Sequence, residues 1–382
     1  MEREMHGTKE TETRGYVEEV YYMPHIMYRE ILDEPRAAVD TLRLLQTVLP
    51  ELVQRVRPAD RKAVVAIGCG SSYFNALTLR YALAMLAGMP SSAKSALDFE
   101  SYVLPTLPSD TLVVAFSQSG ETWETVRAAE KAAKCGHSVV AVTNHRASTL
   151  GRLADGIIPL MAGEEYAAGT KSVLTQGLAA LAFALEVGGG GGRPFFDPYR
   201  RDLEAAERIV RISSEPTEGL FKLINILVES EHAFIAGPGP MHPLALQAAN
   251  ILKEVGHIHA EALEVVEFRH GPLEYLREGD TLVLLAHSES PLFDEVLRMV
   301  TLAKQAKARV VVIGHDPGSR ADSLGDEAIV IELEADTELG GSVLWLPTFH
   351  VLSYRMAVEK GRNPDQFRHI VKTWRSPDQP TG

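Results

Sequence analysis

The stretch "DTLVVAFSQSGETWETVRAAEKAAKCGHSVVAVTN" at residues 110–144 returns at residues 280–315 as "DTLVLLAHSESPLFDEVLRMVTLAKQAKARVVVIGH". Each copy consists of an apolar run, a serine-containing loop, a helical pattern and a second apolar run. A further matched pair, "AVVAIGCGSSYFNAL" at 63–77 and "HAFIAGPGPMHPLAL" at 232–246, has nearly the same separation. The sequence therefore predicts two copies of one domain, arranged in the same order along the chain.

Within each copy, short runs of Val, Ile, Leu and Ala alternate with longer helical patterns. Near-continuous apolar strands are typical of parallel sheets that are covered on both faces by helices. The predicted fold class is α/β, with two tandem doubly wound parallel-sheet domains, N-terminal helices before them and a C-terminal tail after them. In such sheets ligands bind at the carboxyl ends of the strands. The loops "GCGSS" (68–72) and "SQSGET" (117–122) both fall there.

The predicted organisation has five parts: an N-terminal segment with helices (1–45), a first domain (46–187), a linker (188–198), a second domain (199–350), and a C-terminal helix and tail (351–382). The linker contains the glycine run 188–192 and two prolines, which do not continue a helix. Residues 1–15 are polar and are predicted to be disordered. Residues 24–56 are amphipathic, which predicts helix interrupted near Pro35.

Composition excludes several classes of function. The formal net charge of -13 over 382 residues argues against general affinity for nucleic acid or anionic membranes, because such partners require clustered Lys and Arg. Cys69 and Cys135 are too few for a disulfide framework, and no signal peptide pattern is found. No apolar stretch approaches the ~20 residues that span a bilayer. We therefore expect a cytoplasmic protein without nucleic-acid or membrane partners.

The loop "SQSGET" allows two interpretations. Its hydroxyl side chains surround Gly120 and precede a helix, whose free N–H groups and positive dipole end favour a bound anion. The same residues are typical of a simple helix cap, in which Ser119 or Thr122 satisfies those amides. In the second copy the loop is "SESPLF", where Pro291 lacks an N–H and Glu289 repels anions. This difference favours an anion site in the first copy, to which the serines of "GCGSS" add donors.

The stretch "KEVGHIHAEALEVVEFRHGPLEYL" (253–276) concentrates ionisable side chains in the second domain. One alternative is a metal site formed by His257, His259 and Glu261. A plain polar network is the favoured interpretation, because no second ligand cluster accompanies these residues. His270 precedes a turn, so we expect it on a loop, where it is a candidate acid or base. Glu254 ends a predicted helix, and the commonest position for such a residue is the solvated surface.

Six segments occur in a fixed order: "GCGSS", "SQSGET", "AGEEYAAGTK" (162–171), "LKEVGHIHAEA" (252–262), "EFRHGP" (267–272) and "GRNPDQFRHIVK" (361–372). Together they resemble the paired sugar isomerase (SIS) domains of phosphosugar enzymes. This group includes the isomerase half of glucosamine-6-phosphate synthase, SIS-type glucosamine-6-phosphate deaminase and fructosamine-6-phosphate deglycase. The likeness runs from "EILDEPRA" (30–37) to Lys372, which is nearly the whole of the chain predicted to be ordered.

The resemblance implies a role for each matched residue. Glu254 would shuttle a proton between C1 and C2 of the sugar, His270 would open the ring from the neighbouring subunit, and Lys372 would close over the open-chain form. The implied substrate-binding residues are Gly70, Ser71, Ser72, Ser117, Gln118, Ser119, Gly120, Thr122 and Thr170. The reaction requires neither a metal nor a redox cofactor, so none is expected. We expect a homodimer with shared active sites and a small sugar phosphate as the ligand.

Departures from the family pattern narrow the function. Amidotransfer from glutamine is not expected, because the sequence shows no glutaminase domain with a catalytic N-terminal cysteine. Ile251 and Gln247 stand where the synthases carry a lysine and a glutamate. The leading hypothesis is a glucosamine-6-phosphate deaminase that releases fructose 6-phosphate and ammonia. The alternatives are a fructosamine-6-phosphate deglycase, a plain phosphosugar isomerase, or a regulator that binds a phosphosugar without catalysis.

Overall fold

The computed structural model describes residues 25–189, 194–316 and 328–378. The segment predicted to be disordered, 1–15, lies outside the described residues, as do residues 190–193 of the predicted linker. None of the described helices is long and apolar enough to cross a membrane.

The first sheet contains strands β1 (Ala63–Gly68), β2 (Ser91–Ser95), β3 (Thr111–Phe116), β4 (Ser138–Thr143) and β5 (Gly156–Pro159). They are parallel and lie in the order β2-β1-β3-β4-β5. Every residue of β3 is buried, because helices cover both faces of the sheet. The continuous apolar run "TLVVAF" therefore has no solvent-facing side.

The second sheet repeats this arrangement. Its strands are β6 (His232–Gly237), β7 (His259–Glu264), β8 (Thr281–His287), β9 (Arg309–His315) and β10 (Ile329–Glu332). They are also parallel, in the order β7-β6-β8-β9-β10. Numbered within each copy, both sheets have the strand order 2-1-3-4-5. The predicted pair of doubly wound α/β domains is confirmed.

The helices of the first part of the chain are α1 (Ile26–Leu32), α2 (Glu34–Val56), α3 (Ser71–Ala87), α4 (Ala96–Asp98), α5 (Trp123–Lys134), α6 (Thr149–Leu153) and α7 (Lys171–Val187). Those of the second part are α8 (Asp197–Glu204), α9 (Ala206–Ser213), α10 (Glu218–Glu229), α11 (Met241–Glu254), α12 (Val265–Phe268), α13 (Phe293–Gln305), α14 (Glu338–Leu344) and α15 (Leu346–Glu359). Helices α2 and α15 run across positions 45/46 and 350/351, and the domain boundaries placed there remain predictions.

Proline marks the break between the first two helices. Helix α1 ends at Leu32 and α2 begins at Glu34, with Pro35 in its first turn. Proline is accepted there because the first helical N–H groups have no partner within the helix. Helix α2 then packs its apolar face against α7 of the first domain.

Three long-range contacts bring the two domains, the tail and α1 together. Helix α11 of the second domain packs against α3 of the first. The C-terminal tail returns to the first domain, where the Trp123 N–H donates to the Trp374 carbonyl at 2.9 Å. The tail is also fixed to α1, since Asp365 accepts from the Ile26 and Met27 N–H groups at 2.8 Å each. The carboxyl edge of the first sheet therefore faces both the second domain and the tail.

Candidate active site

The loop Ser117 to Thr122 follows β3 and forms a tight cradle. Ser117 is 2% exposed, and its hydroxyl donates to Thr122 Oγ1 at 3.2 Å. The Gly120 N–H donates to Ser117 Oγ at 3.1 Å. Gly120 has φ of +64°, and a Cβ there would lie 1.9 Å from Ser148 Oγ. Only glycine therefore fits this turn.

The capping alternative for this loop finds no support in the described contacts. Thr122 occupies the N-cap position of α5, but its side chain makes no capping hydrogen bond. Ser119 Oγ accepts from the Glu121 N–H at 3.1 Å, and Glu121 lies before the helix. The N-terminus of α5 therefore keeps its positive dipole end without a side-chain cap, as an anion site requires.

The glycine-serine loop after β1 lies beside this cradle, because β1 and β3 are neighbouring parallel strands. Gly70 has φ of +52° and is the N-cap of α3, and Ser71 and Ser72 form the first turn. The first turn of α5, which follows the cradle, touches the glycine-serine loop, where the Thr125 hydroxyl donates to Cys69 Sγ at 3.7 Å. The structure thus brings two helix N-termini to one place, as the sequence predicted.

Glu254 reaches this place from the second domain. It is the last residue of α11 and is only partly buried, with its carboxylate near Lys372 and Glu165. Burial raises the pKa of Glu254, the Lys372 ammonium opposes this effect, and the Glu165 carboxylate adds to it. A raised pKa suits a group that must both accept and release a proton near neutral pH. Glu254 is not the solvated surface carboxylate that its residue type alone favours.

Lys372 is held at the site by a residue to which the sequence analysis assigned no role. Its ammonium lies 3.0 Å from Glu165 Oε2 and also donates to the Ala167 carbonyl. The Glu165 side chain is fully buried. Burial alone would raise its pKa, but Lys372 and the hydrogen bonds from Ser172 and Thr170 outweigh burial and hold the pKa below the usual range. Glu165 therefore presents a fixed negative charge to the lysine.

Thr170 lies behind the site rather than on its surface. It is 0% exposed, and both its N–H and its hydroxyl donate to Glu165 Oε1, at 2.9 and 3.2 Å. In this conformation Thr170 contacts Glu165 rather than the surface of the site, and its role in substrate binding remains a prediction. The signal for Glu165 was present in the segment "AGEEYAAGTK", whose second glutamate precedes a helix N-terminus where a carboxylate accepts backbone N–H groups.

The N-terminal helices support this same segment. Glu30 is 5% exposed and accepts from the Tyr166 and Ala167 N–H groups at 2.6 and 3.4 Å. The Lys171 ammonium lies 3.1 Å from Asp33 Oδ2. Because Ala167 also accepts from Lys372, the helices before the first domain help to set the position of the tail lysine.

His270 stands apart from this group. It lies on a loop after α12, as predicted, and is exposed to solvent. Its backbone N–H donates to the Glu267 carbonyl at 3.0 Å. The predicted action of this histidine from a neighbouring subunit remains a prediction, as do the roles of the other residues assigned by resemblance.

The other histidines of the segment 253–276 make contacts of their own. His259 lies on β7 with its ring 5.4 Å from that of His232, and His257 follows α11 with φ of +48°. Among the residues that the structure describes, no three or more His, Cys, Asp or Glu side chains are grouped so as to hold a metal ion.

In the second copy, the corresponding loop "SESPLF" is occupied by the side-chain carboxyl group of Glu338. Ser290 of "SESPLF" hydrogen-bonds to Glu338, which begins α14. Both side chains are nearly buried, at 7% and 8% exposure. An internal carboxyl thus occupies the loop that corresponds to the cradle of the first copy. This arrangement supports the prediction that only the first copy is specialised for an external anion.

Both halves of the chain match a known protein family. Residues 59–186 and 226–358 match the family model of the SIS domain. The chain belongs to the SIS domain family. It is 33% identical over 353 residues to the isomerizing glutamine–fructose-6-phosphate aminotransferase of Pyrobaculum aerophilum, a match that covers 92% of this chain and 57% of that protein. This SIS-domain chain therefore spans little more than half the length of the curated relatives it matches.

Solved structures show the same architecture over most of the SIS-domain chain. The C-terminal domain of the glucosamine-fructose-6-phosphate aminotransferase of Francisella tularensis is 25% identical with a TM-score of 0.82, covering 89% of this chain and 97% of that one. A glucosamine-6-phosphate deaminase of Thermotoga maritima is 22% identical with a TM-score of 0.66, covering 88% and 99%. The second likeness shows the fold alone.

Proposed function

We propose that this SIS-domain chain is an enzyme that isomerises and deaminates a phosphosugar, converting glucosamine 6-phosphate and water to fructose 6-phosphate and ammonia. The observation that carries the proposal is the convergence of the Ser117–Thr122 cradle, Glu254 and Lys372 where the two domains meet. The names of the Pyrobaculum and Thermotoga proteins refer to fructose 6-phosphate and to glucosamine 6-phosphate. These names support a six-carbon sugar phosphate as the substrate.

In the proposed reaction the phosphate binds at the cradle, through the hydroxyls of Ser117, Ser119 and Thr122 and the first-turn N–H groups of α5 that follow Trp123, whose own N–H donates to the Trp374 carbonyl. The phosphate then fixes the rest of the sugar, so that C1 and C2 lie against Glu254 on the facing helix. Such positioning removes much of the entropic barrier to proton transfer. The phosphate site needs no Lys or Arg, which agrees with the acidic composition of the chain.

Glu254 takes the proton from C2 of the open-chain sugar and delivers it to C1. As the C2–H bond breaks, its electrons form the C1–C2 double bond of an enolamine, and the C1 oxygen takes up a proton. Protonation at C1 then leaves an imine at C2. Water attacks this imine, and the C–N bond breaks to give ketone and ammonia. One carboxylate that faces both carbons performs both proton transfers.

Lys372 and His270 act on the other parts of the sugar in this proposal. The Lys372 ammonium, which is held by its ion pair with Glu165, lies beside the oxygen atoms that gain negative charge. Electrostatic stabilisation by a fixed group of this kind is commonly a large part of catalysis. His270 opens the sugar ring, and its exposed position is compatible with action on the site of a neighbouring chain.

The test is a panel of glucosamine 6-phosphate, fructosamine 6-phosphate and fructose 6-phosphate, assayed for ammonia and for ketose phosphate. We expect ammonia and fructose 6-phosphate from the first compound. Replacing Glu254→Gln should abolish turnover and leave binding of the sugar phosphate largely intact. Retained turnover in this variant would show that Glu254 is not the proton shuttle.

The panel also separates the alternatives. Product from fructosamine 6-phosphate alone would make the chain a deglycase, and aldose–ketose exchange without ammonia would make it a plain isomerase. These alternatives stay open because Ile251, which is 4% exposed, stands where the synthases carry a lysine, three residues before Glu254. Tight binding of a sugar phosphate without any turnover would indicate a regulator.

A further inference from the structure

One face of helix α11 meets the glycine-serine loop of the first domain. Gln247, Asn250 and Glu254 lie on this face, because residues spaced three, four and seven apart share one side of a helix. The Gln247 amide donates to the Ser71 carbonyl at 2.9 Å. The Asn250 amide nitrogen lies 3.5 Å from Ser71 Oγ and 3.4 Å from Glu254 Oε2. Asn250 therefore stands between the predicted phosphate loop and the predicted proton shuttle.

The chemistry of an amide suits this place. A side-chain NH2 group has two hydrogens and so donates in two directions at once. Here one direction leads to the Ser71 hydroxyl and the other to one oxygen of the Glu254 carboxylate. None of the described hydrogen bonds reaches the second carboxylate oxygen, Oε1, and in the proposed reaction this oxygen takes the proton of the sugar. Because the amide is neutral, it orients the carboxylate without bringing a second positive charge next to it.

The orientation of the Glu254 carboxylate matters because of the charged groups nearest to it. The Glu254 carboxylate faces Lys372 and Glu165, which lie on the tail and on the segment before α7. The neighbouring residue on α11, Ile251, points into the core at 4% exposure and offers no donor. From the helix itself, Asn250 is the side chain found to donate to this carboxylate among the described hydrogen bonds.

We propose that Asn250 is a positioning residue that fixes the carboxylate of Glu254 and couples it to the Ser71 loop of the first domain. The proposal rests on the proposed function, since it assigns Asn250 to the same reaction. Asn250 does not touch the reacting carbons. It sets which oxygen of Glu254 faces them and holds that geometry relative to the bound phosphate.

The test compares Asn250→Leu, which keeps the number and branching of the side-chain heavy atoms but has no donor, with Asn250→Asp, which places a second carboxylate beside Glu254. We expect Asn250→Leu to lower kcat about tenfold, the size typical of a lost hydrogen bond to a charged group, with little change in KM. The acidic limb of the kcat/KM profile should move to higher pH in Asn250→Leu and further in Asn250→Asp, because each change disfavours the ionised carboxylate. Lys253→Ala, an exposed neighbour on α11, is the matched control and should leave kcat and the pH profile unchanged.

A purely structural role would lower the melting temperature without moving the pH profile, so thermal unfolding is measured for each variant. An unchanged kcat and acidic limb in Asn250→Leu would overturn the proposal. If the wild-type chain turns over none of the panel, the proposed function fails, but Glu254 can still be followed by NMR titration of 13C-labelled glutamate carboxyl groups. In that titration an identical Glu254 curve in wild type and Asn250→Leu overturns the coupling, and a curve moved to higher pH in the variant supports it.

Discussion

The pKa values of two buried glutamates, Glu165 and Glu338, shift in opposite directions because their hydrogen-bond and ion-pair partners differ. Glu165 accepts hydrogen bonds from Thr170 and Ser172 and pairs with Lys372, so its pKa is lowered despite burial. Burial raises the pKa of Glu338 to about 7, and the hydrogen bond from Ser290 only partly offsets this. Oε1 of Glu338 has no hydrogen-bond partner among the described atoms. The lowered pKa favours the charged form of Glu165, and the raised pKa favours the protonated form of Glu338 in acid.

The pKa of Glu338 predicts how stability changes with pH. Its contribution is fully present below the ordinary value of 4.5 and is lost as pH rises through about 7, because the folded state holds the proton more tightly. The loss is at most about 3.5 kcal/mol, at about 1.4 kcal/mol per pH unit. Glu338→Gln keeps an acceptor for Ser290 and cannot ionise. We therefore expect its free energy of unfolding to exceed that of the wild type increasingly as pH rises from 5 to 8.

Urea unfolding of wild type and Glu338→Gln at pH 5, 6, 7 and 8 measures this difference. Glu51→Gln, at an exposed position of α2, is the control and should follow the wild-type curve. A constant offset between wild type and Glu338→Gln across this range would contradict the assigned pKa.

At the scale of elements, the two Ser-containing loops show how one duplicated turn took two forms. The first has Gly120 at φ of +64° and an uncapped helix after it. The second has no glycine, and Glu338 fills it from the same domain. The sequence predicted this difference, because it depends on local chemistry: a proline removes a donor, and a glutamate repels anions. The occupation of the second loop by Glu338 was not predicted, because this contact joins segments that are distant in the sequence.

The geometry of Gly120 predicts the effect of a single methyl group. In Gly120→Ala the Cβ would lie 1.9 Å from Ser148 Oγ and 2.5 Å from Ser148 Cβ, and Ser148 is itself buried and caps α6. The loop must therefore move, and the donors of the cradle move with it. We expect the Kd for a sugar phosphate to rise at least tenfold, the loss of about one charge-assisted hydrogen bond.

Calorimetric titration in a Glu254→Gln background measures this Kd without turnover. Gly239→Ala is the matched control, because Gly239 also has positive φ, +45°, but its Cβ would meet no atom within 4 Å. This control should lose stability, by about 1 kcal/mol, and keep its affinity. Equal affinity in Gly120→Ala and Gly239→Ala would mean that the cradle does not hold the phosphate.

At the scale of the whole molecule, the candidate site depends on contacts between distant segments, and here the sequence alone was insufficient. The positions of "GCGSS" and "SQSGET" were predictable, since the carboxyl ends of neighbouring parallel strands meet at one edge. The pairing of Glu165 with Lys372 was not predictable, although its hydrogen bonds before α7 had a local signal, because the pairing depends on the return of the tail through Trp374. The role of Asn250 was not either, because it depends on how α11 packs against α3. Pattern and propensity describe local structure, whereas such packing is set by the complete fold.

The exposed position of His270 leads to a prediction about assembly. If two chains form the proposed dimer with shared sites, each site takes Glu254 from one chain and His270 from the other. We expect Glu254→Gln and His270→Ala to be nearly inactive alone. When the two variants are mixed and allowed to exchange subunits, half of the dimers should be mixed, and each mixed dimer has one site with both native residues. Activity should then return to about a quarter of the wild-type value.

The measurement is ammonia release from glucosamine 6-phosphate before and after mixing, with chain exchange followed by mass spectrometry. Exchange without recovery would place His270 and Glu254 of one site on the same chain, since no combination of subunits would then restore a complete site.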